Sequence, residues 1–400
     1  MKKIFRILNV RKHKSVIFAE TYTSDGKKEQ IVFDKNLYHK KALKKGDCFA
    51  ATGKFIKNQS GENVLKIERI LWVSPCQTWD EFKNLPNNSK GCERYAQSNA
   101  RNAGKQIDVY RLKQELIQKI SELLDKDGFE NTPCKVLERE RTGSAIPPFQ
   151  TKGQFDKEPV YLRITPENQL KQTAAILLKS VYTIGSVFYN KNSDANHVPE
   201  MCTLEFVSLD YTKPQLLRFM TKVSRIMSTL CKKYGFETPE KGTPDIVDYN
   251  NLAELGIQYQ RRIPEFKNTI LINAPVSNPL VAPDENGLKT EIKWYINGRL
   301  TAHGYCDETD YSKVKEALQE QKNNNNLEYV NEMSYMKWGL PKSMSFGLGI
   351  DAFISRYINL DSMLLASNPL GINYTFPDKT SQKQVSSQIN ITEQKKERNI

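Results

Sequence analysis

The chain offers few side chains that could hold a metal ion through sulfur or nitrogen. Its seven cysteines, at positions 48, 76, 92, 134, 202, 231 and 306, are scattered without a C-x-x-C pair, and it has only four histidines. A thiolate zinc site needs closely spaced cysteines, and a disulfide framework usually uses an even number of them. The sequence therefore predicts neither a zinc site nor a disulfide framework.

Acidic side chains offer more chemistry, with two interpretations each. Glu167 follows Pro166 and either begins a helix, where the helix dipole favours an acidic residue, or contacts a ligand. Asp307, Glu308 and Asp310 form an acidic cluster that is in principle able to bind a metal ion. The residue types alone do not choose between these interpretations.

Histidine and glycine residues add weaker candidates. His197 is either a turn residue or a ligand contact, and His303 is either a hydrogen-bonded interior side chain or a ligand contact. The segment at 347–349, Gly-Leu-Gly, fits close packing between a helix and a strand and is by itself a weak phosphate-binding pattern.

Composition limits the class of protein. Of the 400 residues, 38% are hydrophobic, which supplies a packed core, and the length suits two domains. Lysine and arginine number 59 against 46 acidic residues, so the net charge of +13 favours a polyanionic partner such as nucleic acid, with a basic solvated surface as the alternative. No segment has the apolar length of a membrane helix or a signal peptide, so we expect a soluble, cytoplasmic protein with no membrane contact.

The first 75 residues read as β-structure. Turn residues separate five strand segments, and a helical stretch near residues 35–44 precedes the fourth of them: IFRILNV, SVIFAETYT, EQIVFD, DCFAATGKFIK and VLKIERILWV. This spacing predicts a small Greek-key barrel of the OB type over residues 1–75, with another small β-barrel as the alternative.

The rest of the chain changes in character. Residues 76–106 are polar and turn-rich, which indicates a linker, and Asp108 is the predicted N-cap of a long amphipathic helix that stops at Gly128. Strand segments then follow one another without a helix between each pair, which favours an α+β domain with an antiparallel sheet over residues 107–377. Residues 378–400 are polar and predict a disordered tail.

Three segments resemble the signature motifs of class II aminoacyl-tRNA synthetases, in particular those of the lysyl-tRNA synthetase branch. They are GFENTP at 128–133, YLRITPENQLK at 161–171 with its continuation at 181–206, and GLPKSMSFGLGIDAFISRYINLDSMLLASNP at 339–369. TGSAIPPFQT at 142–151 also looks like that branch, and the first 75 residues are similar to its anticodon-binding OB domain.

The resemblance implies an antiparallel sheet of about seven strands, flanked by helices, that binds ATP and an amino acid. It also implies Mg²⁺ as a cofactor, tRNA as a partner, and a homodimer formed through the first motif. The apolar face of the helix before that motif is consistent with such a dimer, because an apolar face needs to be covered.

The nucleotide side departs from the family's pattern. Tyr189 and Ala352 stand at the positions of two phosphate-binding arginines, and Lys293 and Leu300 at those of two metal-binding carboxylates. Lys191 replaces the glutamate of the second motif. Tyrosine and alanine lack the charge and the paired donors of arginine. The sequence therefore gives no confident catalytic residue, metal ligand or cofactor.

The positions that bind the amino acid in the family are better preserved in this sequence than those that bind the nucleotide. The resemblance implies that five residues surround the amino acid, the last two receiving a lysine side chain: Glu167, Glu205, His303, Tyr305 and Asp307. Their carboxylates predict an electronegative pocket for a lysine-like cation.

The barrel carries three candidate RNA contacts. Arg11, Phe18 and Gln30 match, approximately, the positions with which the family's OB domain stacks on and reads an anticodon base. Phe18 equally fits a core position, because the segment around it alternates poorly.

Three functions stay open. The first is a lysyl-tRNA synthetase-like paralogue that binds tRNA or a related RNA and a lysine-like ligand, with adenylate-forming chemistry lost or strongly impaired. The second is an active ATP- and Mg²⁺-dependent ligase with a rebuilt nucleotide site, in which Lys191 and Arg356 supply the missing cations. The third is a single-strand-binding barrel on a structural dimer. We favour the first, because the altered positions all belong to the nucleotide and metal side.

Overall fold

The computed structural model describes residues 2–23, 27–58, 61, 63–76, 103–139, 147–154, 158–191, 197–239, 242–325, 333–360 and 363–368. Most of the predicted linker and all of the predicted tail at 378–400 lie outside these residues, as do 140–146 and 192–196 of the family-like segments. The chain forms two compact units, one of which contains Met1–Ala103 and the other Gly104–Pro369. None of the helices described is long and apolar enough to cross a membrane.

The first unit is a closed barrel of five strands, which confirms the predicted OB-like architecture. The strands are joined in the order β1-β2-β3-β5-β4, and β4 pairs back onto β1. Their bounds are Lys2–Lys12 (β1), Val16–Thr23 (β2), Lys28–Asp34 (β3), Cys48–Lys57 (β4) and Asn63–Ser74 (β5). The helix Lys35–Lys40 (α1) follows β3, and the carboxylate of Asp34 caps it by accepting a hydrogen bond from the amide of Asn36 at 2.9 Å.

Alternation along β2 decides which side chains fill the barrel. Ile17 and Ala19 are fully buried, whereas Phe18 is half-buried and Glu20 exposed. Since successive side chains of a strand point to opposite faces, Phe18 lies on the outer face of the barrel and is not a core residue.

The second unit is built on an eight-stranded sheet in the order β12-β13-β14-β15-β16-β11-β10-β6. The six strands from β13 to β10 are antiparallel, and the edge strands β12 and β6 are parallel to their neighbours. The bounds are Glu130–Asn131 (β6), Val181–Phe188 (β10), Glu200–Ser208 (β11), Asp245–Asp248 (β12), Asn268–Pro275 (β13), Thr290–Ile296 (β14), Arg299–Cys306 (β15) and Met344–Gly349 (β16). The α+β class is confirmed, although the sheet has one strand more than the resemblance implies and is not purely antiparallel.

The remaining elements surround this sheet. Three short strands pair separately: Leu137–Glu138 (β7), Gln150–Thr151 (β8) and Val160–Leu162 (β9). The α-helices are Ala103–Lys126 (α2), Glu167–Leu177 (α3), Lys213–Tyr234 (α4), Tyr249–Glu254 (α5), Tyr259–Arg262 (α6), Tyr311–Asn325 (α7), Ile350–Tyr357 (α8) and Leu364–Ser367 (α9). Two 3₁₀ turns are Ile263–Glu265 and Ser334–Trp338.

The long helix α2 corrects two expectations. It begins at Ala103, so Asp108 lies inside the helix and is not its N-cap, because the preceding residues include the good helix formers Ala103, Lys105 and Gln106. Its apolar positions are fully buried in the core of the same chain: Val109, Leu112, Leu116, Ile120 and Leu124. This face is already covered and therefore gives no argument for the predicted homodimer.

The two faces of the large sheet pack against different helices. One face packs against α2 and α4 through side chains such as Phe206, Trp294 and Phe346, which are almost completely buried. On the opposite face, α3 packs Leu170 and Ala174 against the sheet. That second face carries the candidate site.

Candidate functional site

A cross-strand row on the second face of the sheet forms the floor of the site. Glu205 on β11 pairs with Gly347 on β16, Gly347 pairs with His303 on β15, and His303 pairs with Lys293 on β14. Paired residues in a sheet project from the same face. Because Gly347 has no side chain, it leaves open space between those of Glu205 and His303.

A cavity of about 310 Å³ opens above this floor. Seven of the residues predicted from the sequence line it together: Tyr189, Lys191, Glu205, Leu300, His303, Ala352 and Arg356. His197 and the Gly-Leu-Gly segment at 347–349 are also part of its wall. The structure therefore brings the altered nucleotide positions and part of the amino-acid side into one cavity.

Lys293, one of the two positions where the resemblance implies a metal-binding carboxylate, belongs to an ion-pair network. The ammonium of Lys293 lies 3.0 Å from Glu291, and the second oxygen of Glu291 lies 3.1 Å from Nδ1 of His303. Desolvation by the surrounding protein works against the charged form of His303, but the hydrogen bond to Glu291 and the charges of Glu291, Glu167 and Glu205 together outweigh it and raise the pKa of His303, whose side chain remains 46% exposed. No group of three histidine, cysteine, aspartate or glutamate side chains suited to a metal occurs in the part of the chain described.

Two basic side chains line the cavity. Lys191 and Arg356 both line it, and the guanidinium of Arg356 donates a hydrogen bond to the carbonyl of Leu300. Burial, together with the nearby charge of Arg299, lowers the pKa of Arg356 to about 10. The guanidinium of Arg356 therefore still carries positive charge at neutral pH and can meet an anion.

Glu205 is the acid on the cavity floor. It accepts a hydrogen bond from the hydroxyl of Thr165 at 2.6 Å, and burial, assisted by the charge of Glu167, raises the pKa of Glu205 to about 8. Burial raises the pKa of the neighbouring Tyr189 to about 12. At neutral pH the cavity floor therefore carries little negative charge from these groups.

The other three predicted amino-acid-binding residues lie in a buried cluster next to the cavity. Glu167, Tyr305 and Asp307 surround the ammonium of Lys171, whose side chain is only 2% exposed. This ammonium is 2.7 Å from Oε1 of Glu167 and 2.7 Å from Oδ1 of Asp307, and it lies 5.5 Å from the centre of the Tyr305 ring. The hydroxyl of Tyr305 donates to the same oxygen of Glu167.

Helix α3 places two members of this cluster. Glu167 is its first residue, and the Glu167 amide donates to the hydroxyl of Thr165 at 3.1 Å. Lys171 follows four residues later and therefore lies on the same face of the helix. Glu167 both begins a helix, as one interpretation proposed, and contacts the cluster.

The ammonium of Lys171 balances part of the acidic charge in this cluster. Burial disfavours charge on Glu167 and Lys171, yet the ammonium of Lys171 lowers the pKa of Glu167, and the two carboxylates hold the pKa of Lys171 well above its usual value. Glu167 and Asp307 therefore share one internal cation.

The carboxylates of the acidic cluster at 307–310 accept hydrogen bonds from neighbouring groups of the chain. Asp307 accepts hydrogen bonds from Ser343 at 2.7 Å and Ser345 at 2.9 Å. Glu308 accepts backbone amides, and Asp310 accepts the amides of Ser312 and Lys313 at the start of α7.

The RNA-binding candidates Arg11, Phe18 and Gln30 belong to the barrel, which is a separate unit from the one that contains the cavity. They lie on the outer face of the barrel. Cross-strand pairing forms a row from Arg11 through Phe18 and Val32 to Lys66 and Lys54. The basic members of this row are exposed, and Phe18 packs its ring against that of His13 at 5.2 Å. Gln30 is exposed and pairs with Glu20, two residues along the strands from the Phe18–Val32 pair.

Sequence reasoning missed Lys171, Glu291, Thr165 and Ser345. The spacing of four residues between Glu167 and Lys171 was visible and indicates an ion pair on a helix. The contribution of Ser345 depends on which strands are neighbours, and no local pattern shows that.

Residues 92–364 match the family model of tRNA synthetases class II (D, K and N). The match covers more than half of the chain, which therefore belongs to this family. The lysine–tRNA ligase of Methanospirillum hungatei is 22% identical over 418 residues, covering 87% of this chain and 81% of that protein. The corresponding ligase of Enterococcus faecalis is 24% identical over 379 residues, covering 80% and 75%. That of Thermoanaerobacter pseudethanolicus is 30% identical over 211 residues, covering 50% and 41%.

Within the class, the chain is a lysyl-tRNA synthetase-like member, and the resemblance inferred from its motifs is confirmed. Its function is aminoacyl-tRNA synthetase-like.

Proposed function

We propose that this protein binds tRNA, or an RNA that resembles it, and that its adenylate-forming chemistry is lost or strongly impaired. The observation that carries the second part is the composition of the cavity wall. Tyr189, Leu300 and Ala352 line it at the positions where the family's pattern places charged ligands of ATP and Mg²⁺.

The charge at the metal side supports the same proposal. Lys293 forms an ion pair with Glu291, so a protein cation stands where a divalent ion would need carboxylates. The ammonium of Lys293 and a metal ion repel each other, because both are positively charged. Removing one charged transition-state contact typically costs about 10²- to 10³-fold in rate, so several such changes leave little activity.

The outer face of the barrel supports RNA binding. In one cross-strand row, Arg11 lies on one side of Phe18, and Lys66 and Lys54 lie on the other side beyond Val32, which is only 4% exposed. Cations of this kind attract phosphates at any sequence, and an outward aromatic ring can stack on a base. We propose this row as the RNA-binding face, with Gln30 at its border.

The cavity also supports a second candidate, an active ligase with a rebuilt nucleotide site. Lys191 and Arg356 both line the cavity, as does Ala352. In this alternative they meet the phosphates of ATP, and Mg²⁺ enters with the nucleotide.

ATP–pyrophosphate exchange separates the two candidates. We expect no exchange above background with lysine or any other common amino acid, and stronger ATP binding after Tyr189→Arg and Ala352→Arg together than after either change, because both groups act on one ligand. Exchange at the rate of an ordinary synthetase, abolished by Lys191→Ala or Arg356→Ala, would establish the alternative.

RNA binding by the full chain tests the barrel face. Phe18→Ala should weaken tRNA binding about 5- to 150-fold, which corresponds to the ~1 to 3 kcal/mol of one base–aromatic stack. Phe55→Ala is the matched control, because Phe55 is 61% exposed on β4 outside the row. Affinity should fall steeply as salt rises from about 50 to 300 mM. Equal losses in both variants, or an affinity independent of salt, would contradict the proposed face.

We also propose the domain limits predicted from the sequence, 1–75 and 107–377, and a cytoplasmic location. The homodimer is a proposal from the resemblance of the first motif alone. A lysine-like ligand, which the resemblance implies for the residues around Glu167, Glu205 and Asp307, is likewise a proposal.

A further inference from the structure

One helix of the second unit carries basic side chains and no acidic ones. Helix α4, Lys213–Tyr234, contains no aspartate or glutamate, and its basic residues are Lys213, Arg218, Lys222, Arg225, Lys232 and Lys233. Its apolar side chains, among them Leu216, Phe219 and Val223, are fully or almost fully buried in the core against the large sheet. The core therefore fixes which side of α4 faces solvent.

Four of the basic residues form a straight row on the exposed side of α4. Arg218, Lys222, Arg225 and Lys232 are exposed and follow one another at intervals of four, three and seven residues. These intervals return to the same face of a helix, and a rise of about 1.5 Å per residue gives the row a length of about 21 Å. The exposed Thr229 lies on the same face, so the row contains no apolar side chain and no aromatic ring.

The α4 row has no counter-charge within the described part of the chain. None of its four basic side chains forms an ion pair with a described residue, and Glu115 on helix α2 is held by Lys233 at 2.6 Å. Like charges four residues apart on a helix, such as those of Arg218 and Lys222, repel each other. An anionic partner would relieve this repulsion.

We propose that the α4 row binds the phosphate backbone of double-stranded RNA, as a second RNA contact in the unit that does not contain the barrel. The inference rests on the proposed function only in taking RNA as the ligand. Phosphates fit the row better than an acidic protein does, because the centre of a protein interface is apolar and the row offers no apolar side chain. A duplex fits better than a single strand, because single strands also stack on aromatic rings, which the row lacks.

The test removes two charges from the middle of the row with Lys222→Gln and Arg225→Gln together. Both side chains are exposed, so this variant should fold with a thermal midpoint no lower than that of the unaltered protein. The probe is an RNA duplex of about 16 base pairs without loops or overhangs, the length that a double-stranded RNA-binding domain spans. Its binding to the full chain is measured over a series of salt concentrations.

The salt dependence of duplex binding is the expected readout. A lost phosphate contact reduces the slope of log affinity against log salt by about 1, so the double variant should reduce it by about 2 and bind more weakly at low salt. The matched control is Lys313→Gln with Lys315→Gln, because both lysines are exposed on α7 in the same unit and the change in net charge is equal. The control should bind the duplex as the unaltered protein does.

Three results would overturn the inference. They are no binding of the duplex to the unaltered protein, an equal change of slope in both double variants, and binding of poly-glutamate that depends on the row and is as strong as that of the duplex. The last result would indicate an acidic protein partner.

The barrel variant Phe18→Ala separates this inference from the proposed function. It should leave duplex binding unchanged, because a duplex offers no unstacked base. Duplex binding that depends on the row, together with tRNA binding that Phe18→Ala does not weaken, would contradict the barrel face alone. tRNA binding that Phe18→Ala weakens, without any duplex binding, would contradict the α4 row alone.

Discussion

Two lysines of the candidate site form ion pairs with its acidic side chains. Lys171 lies between Glu167 and Asp307, and Lys293 lies beside Glu291. Buried carboxylates without partners are costly, so an acidic residue inside a protein usually has a counter-charge. A count of acidic residues at candidate pocket positions therefore overstates the negative charge of the pocket.

Glu205 gives a prediction about pH. Burial raises its pKa to about 8, so between the ordinary glutamate pKa and about pH 8 the folded protein holds a proton that the unfolded chain has lost. Stability due to this group therefore falls as pH rises through that range, by about 1.4 kcal/mol for each pKa unit of difference. Glu205→Gln removes this loss. The thermal midpoint of the variant, relative to that of the unaltered protein, should therefore be higher at pH 9 than at pH 5.

Glu200→Gln serves as the control for this measurement, because Glu200 is exposed on the same strand. The interpretation of Glu205 would be wrong if the difference in midpoint between Glu205→Gln and the unaltered protein were the same at every pH.

At the residue scale, the sequence predicted many of the residues that line the cavity but not the charges they carry. Tyr189, Ala352, Glu205 and His303 were selected from motifs and do line one cavity. The role of Lys171 was not predicted, because its partner Asp307 lies far along the chain and only the fold brings the two together.

At the scale of single elements, α2 is the sharpest case. Leu116 is fully buried in the chain's own core. Leu116→Ala should therefore lower the free energy of unfolding by about 2 to 5 kcal/mol, the range found when a large core side chain is truncated. The measurement is denaturant unfolding, combined with sedimentation of the folded variant.

Lys119→Ala is the control, because Lys119 is partly exposed on the same helix and its only ion pair in the described residues is with Glu122. It should change stability by less than about 1 kcal/mol. A Leu116→Ala protein with unchanged stability and an altered oligomeric state would instead mean that this face binds a second chain.

Helical periodicity predicted the apolar face of α2 but not what covers it, since spacing shows only that a face needs burial. The alternation of side chains along β2 also did not predict whether Phe18 lies in the core or on the surface. The closed barrel places Phe18 on its outer face.

For the whole molecule, the predicted order of a barrel followed by an α+β domain is confirmed. The barrel strands were located to within a few residues because turn residues separate them. The parallel edge strands β6 and β12 were not predicted, because strand direction depends on the path of the chain between neighbours.

The place of β16 in the sheet has a consequence for the order in which the protein is made. The barrel is complete once β5 ends at Ser74, so it can fold early during synthesis. The large sheet cannot, because β16, at Met344–Gly349, lies between β15 and β11 and is the last of its strands to leave the ribosome. Until then the sheet exists as two halves with unpaired inner edges, the kind of exposed edge that chaperones protect.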